Sequence, residues 1–149
     1  MDPRLSGLTL LDTSVWARLR DGRISGPAAE RLYTRLERGE LAVTEPLVLE
    51  MRYSARDATD FKLLAEELDA MPLLSLEASA IRRSLEAQAQ LAALPDVSHR
   101  VKPIDLLVAA VAEHHSSAVL HYDTDYELLA EHTDLAFDSV WAARRGSLG

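Results

Sequence analysis

Four short apolar runs, at residues 8–11, 41–44, 72–76 and 118–121, are each too short for a helix. Stretches with helical spacing separate them. This alternation constrains the chain more than any other feature. Strands that alternate with helices imply right-handed crossovers and a parallel sheet covered on both faces. The intervals read accordingly. Thr13 or Asp12 caps a helix to Arg20, and Asp21-Gly22-Arg23 is a turn. Pro27 opens a second helix with Ala28, Leu32 and Leu36 on one face, and Gly39 stops it. Pro46 opens a third, to Arg56, and a fourth covers 58–70. Residues 77–93 form an amphipathic helix with Ala78, Ile81 and Leu85 on one face. After a loop at 94–102, Pro103 opens a helix that is apolar almost all round, which buries it on most sides. A helix at 126–132 and a candidate last strand at 135–137 complete the chain.

The chain has 149 residues, enough for one domain with a real core, and neither repeat nor linker divides it. Its hydrophobic content, 48%, suits a globular protein rather than a disordered one. No apolar run spans a bilayer, and no signal-peptide pattern follows Met1, so a cytoplasmic protein is expected. Without cysteine there is no disulfide, thiolate chemistry or cysteine-based zinc site. The net charge of −8 argues against a general nucleic-acid binder, which carries a basic footprint. A metal-binding acidic cluster would contribute to that total, and a bound cation inverts the local field.

Acidic residues stand where such a fold gathers its ligands. In open parallel sheets these bind beyond the carboxyl ends of the strands, where the strand order switches. Asp12 ends the first apolar run and Asp123 follows the last, so both emerge at that edge. Glu50 lies beside Leu47 at the rim of a helix's apolar face, and Asp105 sits in the first turn of the most apolar helix. Each has an ordinary structural explanation. Asp12 can be a helix cap, worth about 1 kcal/mol. Glu50 can be solvated, Asp105 can answer the helix dipole, and Asp123-Thr124-Asp125 can be an Asx turn. Four separate caps explain the joint placement less well than one site does. Carboxylates brought together repel unless a cation holds them, and hard oxygen ligands favour Mg²⁺, with Mn²⁺ as a substitute, over zinc. Phosphodiester hydrolysis is the reaction such a site does best.

These residues resemble the PIN-domain family, and within it the VapC-type ribonuclease toxins. Leu10-Leu11-Asp12-Thr13-Ser14-Val15-Trp16 is similar to the family's first motif, and Glu50 to its second acid. His99-Arg100 followed by Pro103-Ile104-Asp105-Leu106-Leu107-Val108 is similar to the third, and Val119-Leu120-His121-Tyr122-Asp123-Thr124-Asp125-Tyr126 to the fourth. The resemblance covers nearly the whole chain. It implies a three-layer α/β/α sandwich around a mainly parallel sheet, and a Mg²⁺-dependent endoribonuclease. It carries over Asp12, Glu50, Asp105 and Asp123 as the acidic cluster, with Asp125, Thr13 and Ser14 accompanying them. It also implies a homodimer, a small VapB-type antitoxin that completes a hetero-oligomer, and structured RNA of the tRNA or rRNA class as substrate. Two departures stand out. His115-Ser116-Ser117 replaces a turn that often holds Gly, and Tyr126 stands where Phe is commoner, an exchange expected to be conservative.

Arg52, Arg56, His99, Arg100 and Lys102 are candidates for RNA phosphates, with solvated charge as the alternative. Trp16 reads as core packing rather than a base-stacking face, and Trp141 with Arg144-Arg145 as an exposed tail. Two other functional classes compete. One is a non-catalytic PIN-like module that binds RNA or protein. The other is a haloacid-dehalogenase-like phosphohydrolase using Asp123 and Asp125, although an Asp-x-Asp so late leaves little chain for its further motifs.

Overall fold

The computed structural model describes residues 2–96 and 100–148. A 3₁₀ turn, Pro3–Leu5, precedes the first strand, β1 (Thr9–Leu11). Then follow α1 (Thr13–Arg20), α2 (Gly26–Glu37), β2 (Leu41–Ala42), α3 (Glu45–Tyr53), α4 (Ala58–Asp69) and α5 (Ala78–Ala92). The chain ends with α6 (Pro103–His114), β3 (Ala118–His121), α7 (Thr124–His132) and β4 (Asp138–Trp141). All strand pairs are parallel, in the order β2-β1-β3-β4, with Leu10 opposite Ala42 on one side and Val119 on the other.

That order fixes the layers. The chain leaves β1 toward one edge to make β2, then crosses back to build β3 and β4 on the other side. Right-handed connections running in opposite directions place their helices on opposite faces, giving the α/β/α sandwich. Every residue of β1 and β3 is buried, as a sheet covered twice requires. Helix α6 buries Val108, Ala109, Ala110, Val111 and Ala112 and packs against α5, α3, α7 and β3. The switch in strand order falls between β1 and β3, so Asp12 and Asp123 leave adjacent carboxyl ends.

Two strands differ from expectation. The segment 72–76 makes only an isolated bridge, Leu73 with Val43. The Val43 N–H donates to Pro72 O (3.0 Å) and Leu74 N–H to Val43 O (2.8 Å), and pairing goes no further. Pro72 has no N–H to give, and Leu73 is exposed. The last strand is 138–141 rather than 135–137. Asp138 is exposed and Ser139, which hydrogen-bonds the buried His121, is half-buried, while Val140 is buried: a partly covered edge whose polar start masks it in sequence. Trp141 belongs to this strand and packs edge-on against Tyr122, so it is not part of an exposed tail.

The turn before β3 carries a sequence-visible penalty. Helix α6 closes with Ser116 N–H on Glu113 O (3.2 Å) and Ser117 N–H on Ala112 O (2.8 Å), the paired bonds of a Schellman close. The residue at its left-handed position is Ser116, with φ of 53°, where glycine fits without strain. Ser116→Gly is expected to stabilise the fold by about 0.5–1 kcal/mol. Urea unfolding checks this as an upward shift in midpoint at constant slope.

Candidate active site

Asp12 does two things at once. It caps α1, with Oδ2 accepting from the Ser14 N–H (3.0 Å) and the Ser14 hydroxyl (2.5 Å). The Ser14 oxygen accepts in turn from Tyr122 N–H at 2.9 Å, so Ser14 ties the end of β1 to the end of β3. The other carboxylate oxygen of Asp12 accepts from the Tyr126 hydroxyl at 2.6 Å. Cap and site readings are therefore compatible in one side chain. Thr13 Oγ1 is buried without a hydrogen-bond partner.

Asp105 enters from the first turn of α6, because Pro103 starts that helix at the sheet's carboxyl edge. It is 2% exposed. Burial, then the charge of Asp12, then a hydrogen bond with Asp125 push its pKa up to about 9, against the pull of Lys102. Asp12 is likewise raised by burial, which outweighs its bonds from Ser14 and Tyr126. Asp123 caps α7 by accepting from Asp125 N–H at 3.0 Å, and this local turn brings both side chains toward α6. Burial works against the Asp125 charge, but the Lys102 backbone N–H, Asp105 and the Lys102 ammonium bring it below the ordinary range. Oxygens of Asp105, Asp123 and Asp125 lie within 4.8 Å of one another.

Tyr126 corrects the sequence expectation. Its hydroxyl is not a neutral addition to a phenylalanine. It is buried between two of the acids, 2.6 Å from Asp12 and 3.2 Å from Asp105. A phenol has one hydrogen, and the shorter contact takes it. Asp105, protonated at neutral pH, can then donate to the phenol oxygen or share its proton with Asp125. Burial, followed by the charges of Asp12 and Asp105, holds Tyr126 well above the ordinary phenol range.

His121, which the sequence does not single out, is also part of this wall. Its Nδ1 accepts from Asp123 N–H (3.2 Å), which leaves the proton on Nε2 to donate to Ser139 Oγ (2.7 Å). Burial lowers its pKa to about 4 despite Asp123, so it is a neutral strut at physiological pH.

Glu50 stands apart. It is half-buried on α3, which packs against α1 and α6, and it forms no hydrogen bond or ion pair with another described residue. The basic candidates also separate. Arg52 lies 3.5 Å from Asp69 and over the Phe61 ring, and Arg56 lies 3.5 Å from Asp60. Arg100 is exposed, and His99 lies outside the described residues. Lys102 points into the acids rather than away from them, its ammonium 2.6 Å from Asp123. Trp16 is buried in the core with Arg20 over its ring, as expected.

The donor set suits a hard divalent cation. It consists of carboxylate oxygens, and Asp105 Oδ2 is buried without an aligned hydrogen-bond donor. The arrangement stands in the crevice where an α/β sheet binds its ligand.

Known proteins share both sequence and fold with this chain. Ribonuclease VapC51 of Mycobacterium tuberculosis is 43% identical over 122 residues, covering 81% of this chain and 84% of the relative. Ribonuclease VapC18 of the same organism is 33% identical over 139 residues, covering 93% and 97%. DNA-bound VapBC from Salmonella typhimurium superposes with a TM-score of 0.70 at 14% identity, over 92% of this chain and 99% of that one. VapBC-5 from Mycobacterium tuberculosis does so with a TM-score of 0.58 at 23% identity, over 90% and 99%. At those identities the structural likeness shows the fold. The PIN domain profile matches residues 9–132, a span that runs from β1 through α7 and contains every acid of the site. The chain belongs to the PIN domain family.

Proposed function

We propose that this protein is a metal-dependent endoribonuclease, the toxin of a VapBC-type pair, acting in the cytoplasm. The observation that carries this is the placement of Asp105, Asp123 and Asp125, with Asp12 behind them, at the switch point of a fold whose relatives are named ribonucleases. Among the described residues no helix is long and apolar enough to cross a membrane.

Asp105, Asp123 and Asp125 would hold Mg²⁺, or Mn²⁺ in its place, with Asp12 bearing on Asp105 through Tyr126. When bound, a divalent ion supplies a hydroxide nucleophile at neutral pH and neutralises charge on the phosphoryl oxygens. The rest falls to the chain. Asp105, as a ligand, would release to solvent the proton that burial makes it retain. Tyr126 and Ser14 fix Asp12 from two sides, and His121 holds the Asp123 backbone. Glu50, half-buried on a helix packed against both α1 and α6, is the fifth acid of the proposed cluster. Arg100, with His99 and more distantly Arg52 and Arg56, would meet RNA phosphates, and Lys102 would do so once its ammonium leaves the acids. The substrate class is structured RNA, tRNA or rRNA. The partners are a VapB-type antitoxin and a second copy of the chain.

Antitoxin-free protein incubated with total cellular RNA and Mg²⁺ is expected to give discrete fragments, and EDTA to abolish them. Folded protein that leaves every RNA intact would overturn the proposal in favour of a binding module.

A further inference from the structure

The cation nearest to the proposed metal ligands belongs to the chain itself. Lys102 Nζ lies 2.6 Å from Asp123, 3.1 Å from Asp125 and 3.2 Å from Asp105. These are the three residues whose oxygens converge within 4.8 Å. An ammonium touching all three and a metal at bonding distance from them, about 2.0–2.1 Å for Mg²⁺, compete for one place.

The two halves of Lys102 are held differently. Its backbone is fixed, because it stands immediately before Pro103 and its N–H donates to Asp125 at 3.1 Å. Its side chain is 57% exposed, on a flexible four-carbon stem. Nothing else among the described residues offers Asp105 Oδ2 a positive group, and even Lys102 is not aligned to hydrogen-bond it. The contact is thus electrostatic, loosely directed and reversible.

We propose that Lys102 is a built-in counter-ion: it holds the three aspartates together without metal, and a divalent ion must displace its ammonium to bind. This rests on the aspartates being the metal site. Lys102 acts here through the acids, as a positioning residue. Its presence lowers metal affinity while keeping the metal-free cluster from flying apart. It therefore sets the cation concentration at which the enzyme loads.

Mn²⁺ titration by calorimetry at pH 8 tests this on the full chain. The proteins are wild type, Lys102→Met, Lys102→Gln, Lys102→Arg and Asp105→Asn, with folding checked by circular dichroism. Lys102→Met and Lys102→Gln are expected to bind Mn²⁺ about tenfold tighter, because a charge in contact with the ligands no longer opposes the ion. Lys102→Arg, which keeps the charge, is expected to bind within about threefold of wild type. The metal-free melting temperature of Lys102→Met should fall, while its Mn²⁺-loaded value should match wild type. Unchanged or weaker binding by both neutral variants overturns the role of Lys102, provided Asp105→Asn abolishes the wild-type signal. If Asp105→Asn binds as wild type does, the metal site itself is wrong and the counter-ion falls with it.

Discussion

Asp105→Asn is expected to remove RNA cleavage and to make the metal-free protein more stable at neutral and alkaline pH. Both effects come from the same burial. The carboxyl group is 2% exposed, and its pKa is pushed up to about 9. An unfolded aspartate titrates near 3.9. Between those values the native state holds a proton that the unfolded chain has lost, so stability falls as pH rises from about 4 to 9. Asparagine has no such proton and keeps the volume. The variant should lose most of that slope, retaining only what Asp12, also raised by burial, contributes. Melting temperatures taken from pH 5 to 9 in EDTA would show it. On the catalytic side, losing a proposed metal ligand worth about 4 kcal/mol of charge stabilisation is expected to lower cleavage about a thousandfold. Cleavage at the wild-type rate by a folded variant would remove Asp105 from the mechanism.

Tyr126→Phe is expected to lower cleavage at pH 7 by about ten- to a hundredfold, with the fold retained. The hydroxyl donates to Asp12 at 2.6 Å and favours its charged form. A hydrogen bond to a charged group contributes about 1.5–3 kcal/mol, or one to two powers of ten. Without it the Asp12 pKa rises further, and the carboxylate loses one of the donors that fix it. A tyrosine that merely filled space would leave the rate unchanged when its hydroxyl is removed. Cleavage rates of the two proteins at pH 7 decide between these roles.

The apolar runs at β1, β2 and β3 and the positions of the helices were legible because burial on both faces writes itself as hydrophobicity, but the inward face of α5 was not: Ile81 and Leu85 are exposed, while the small Ala80, Ser84 and Ala87 are buried with Leu91. At the sheet's edges that signal weakens. β4 begins with Asp138 and Ser139, and the 72–76 run looks like a strand yet makes one bridge. Asp12, Asp105 and Asp123 were readable from their places at strand and helix ends, and the structure brings them together. What sequence could not show was which neutral or cationic groups would lie among them. Tyr126 looked like a phenylalanine with a harmless oxygen because helical position says nothing about a hydroxyl's partner 114 residues away. Lys102 reads as a phosphate contact from its charge, which does not reveal that its side chain turns into the acids. Glu50 fitted the pattern as well as any acid, but it joins no hydrogen bond or ion pair among the described residues.

The sheet order also governs when activity becomes available. β1 pairs with β3, and Asp12 meets Tyr126 only after another 114 residues have been made. At about 5–20 residues per second, the first acid waits roughly 6–23 s for Tyr126. Such distant parallel pairing is also slow to form. A half-made chain carries Asp12 and Glu50 without the cluster that would make them dangerous. For a protein whose proposed activity destroys the RNA of its own cell, topology alone thus delays the onset of damage until β3 and α7 have been made, leaving an inhibitor time to be present first.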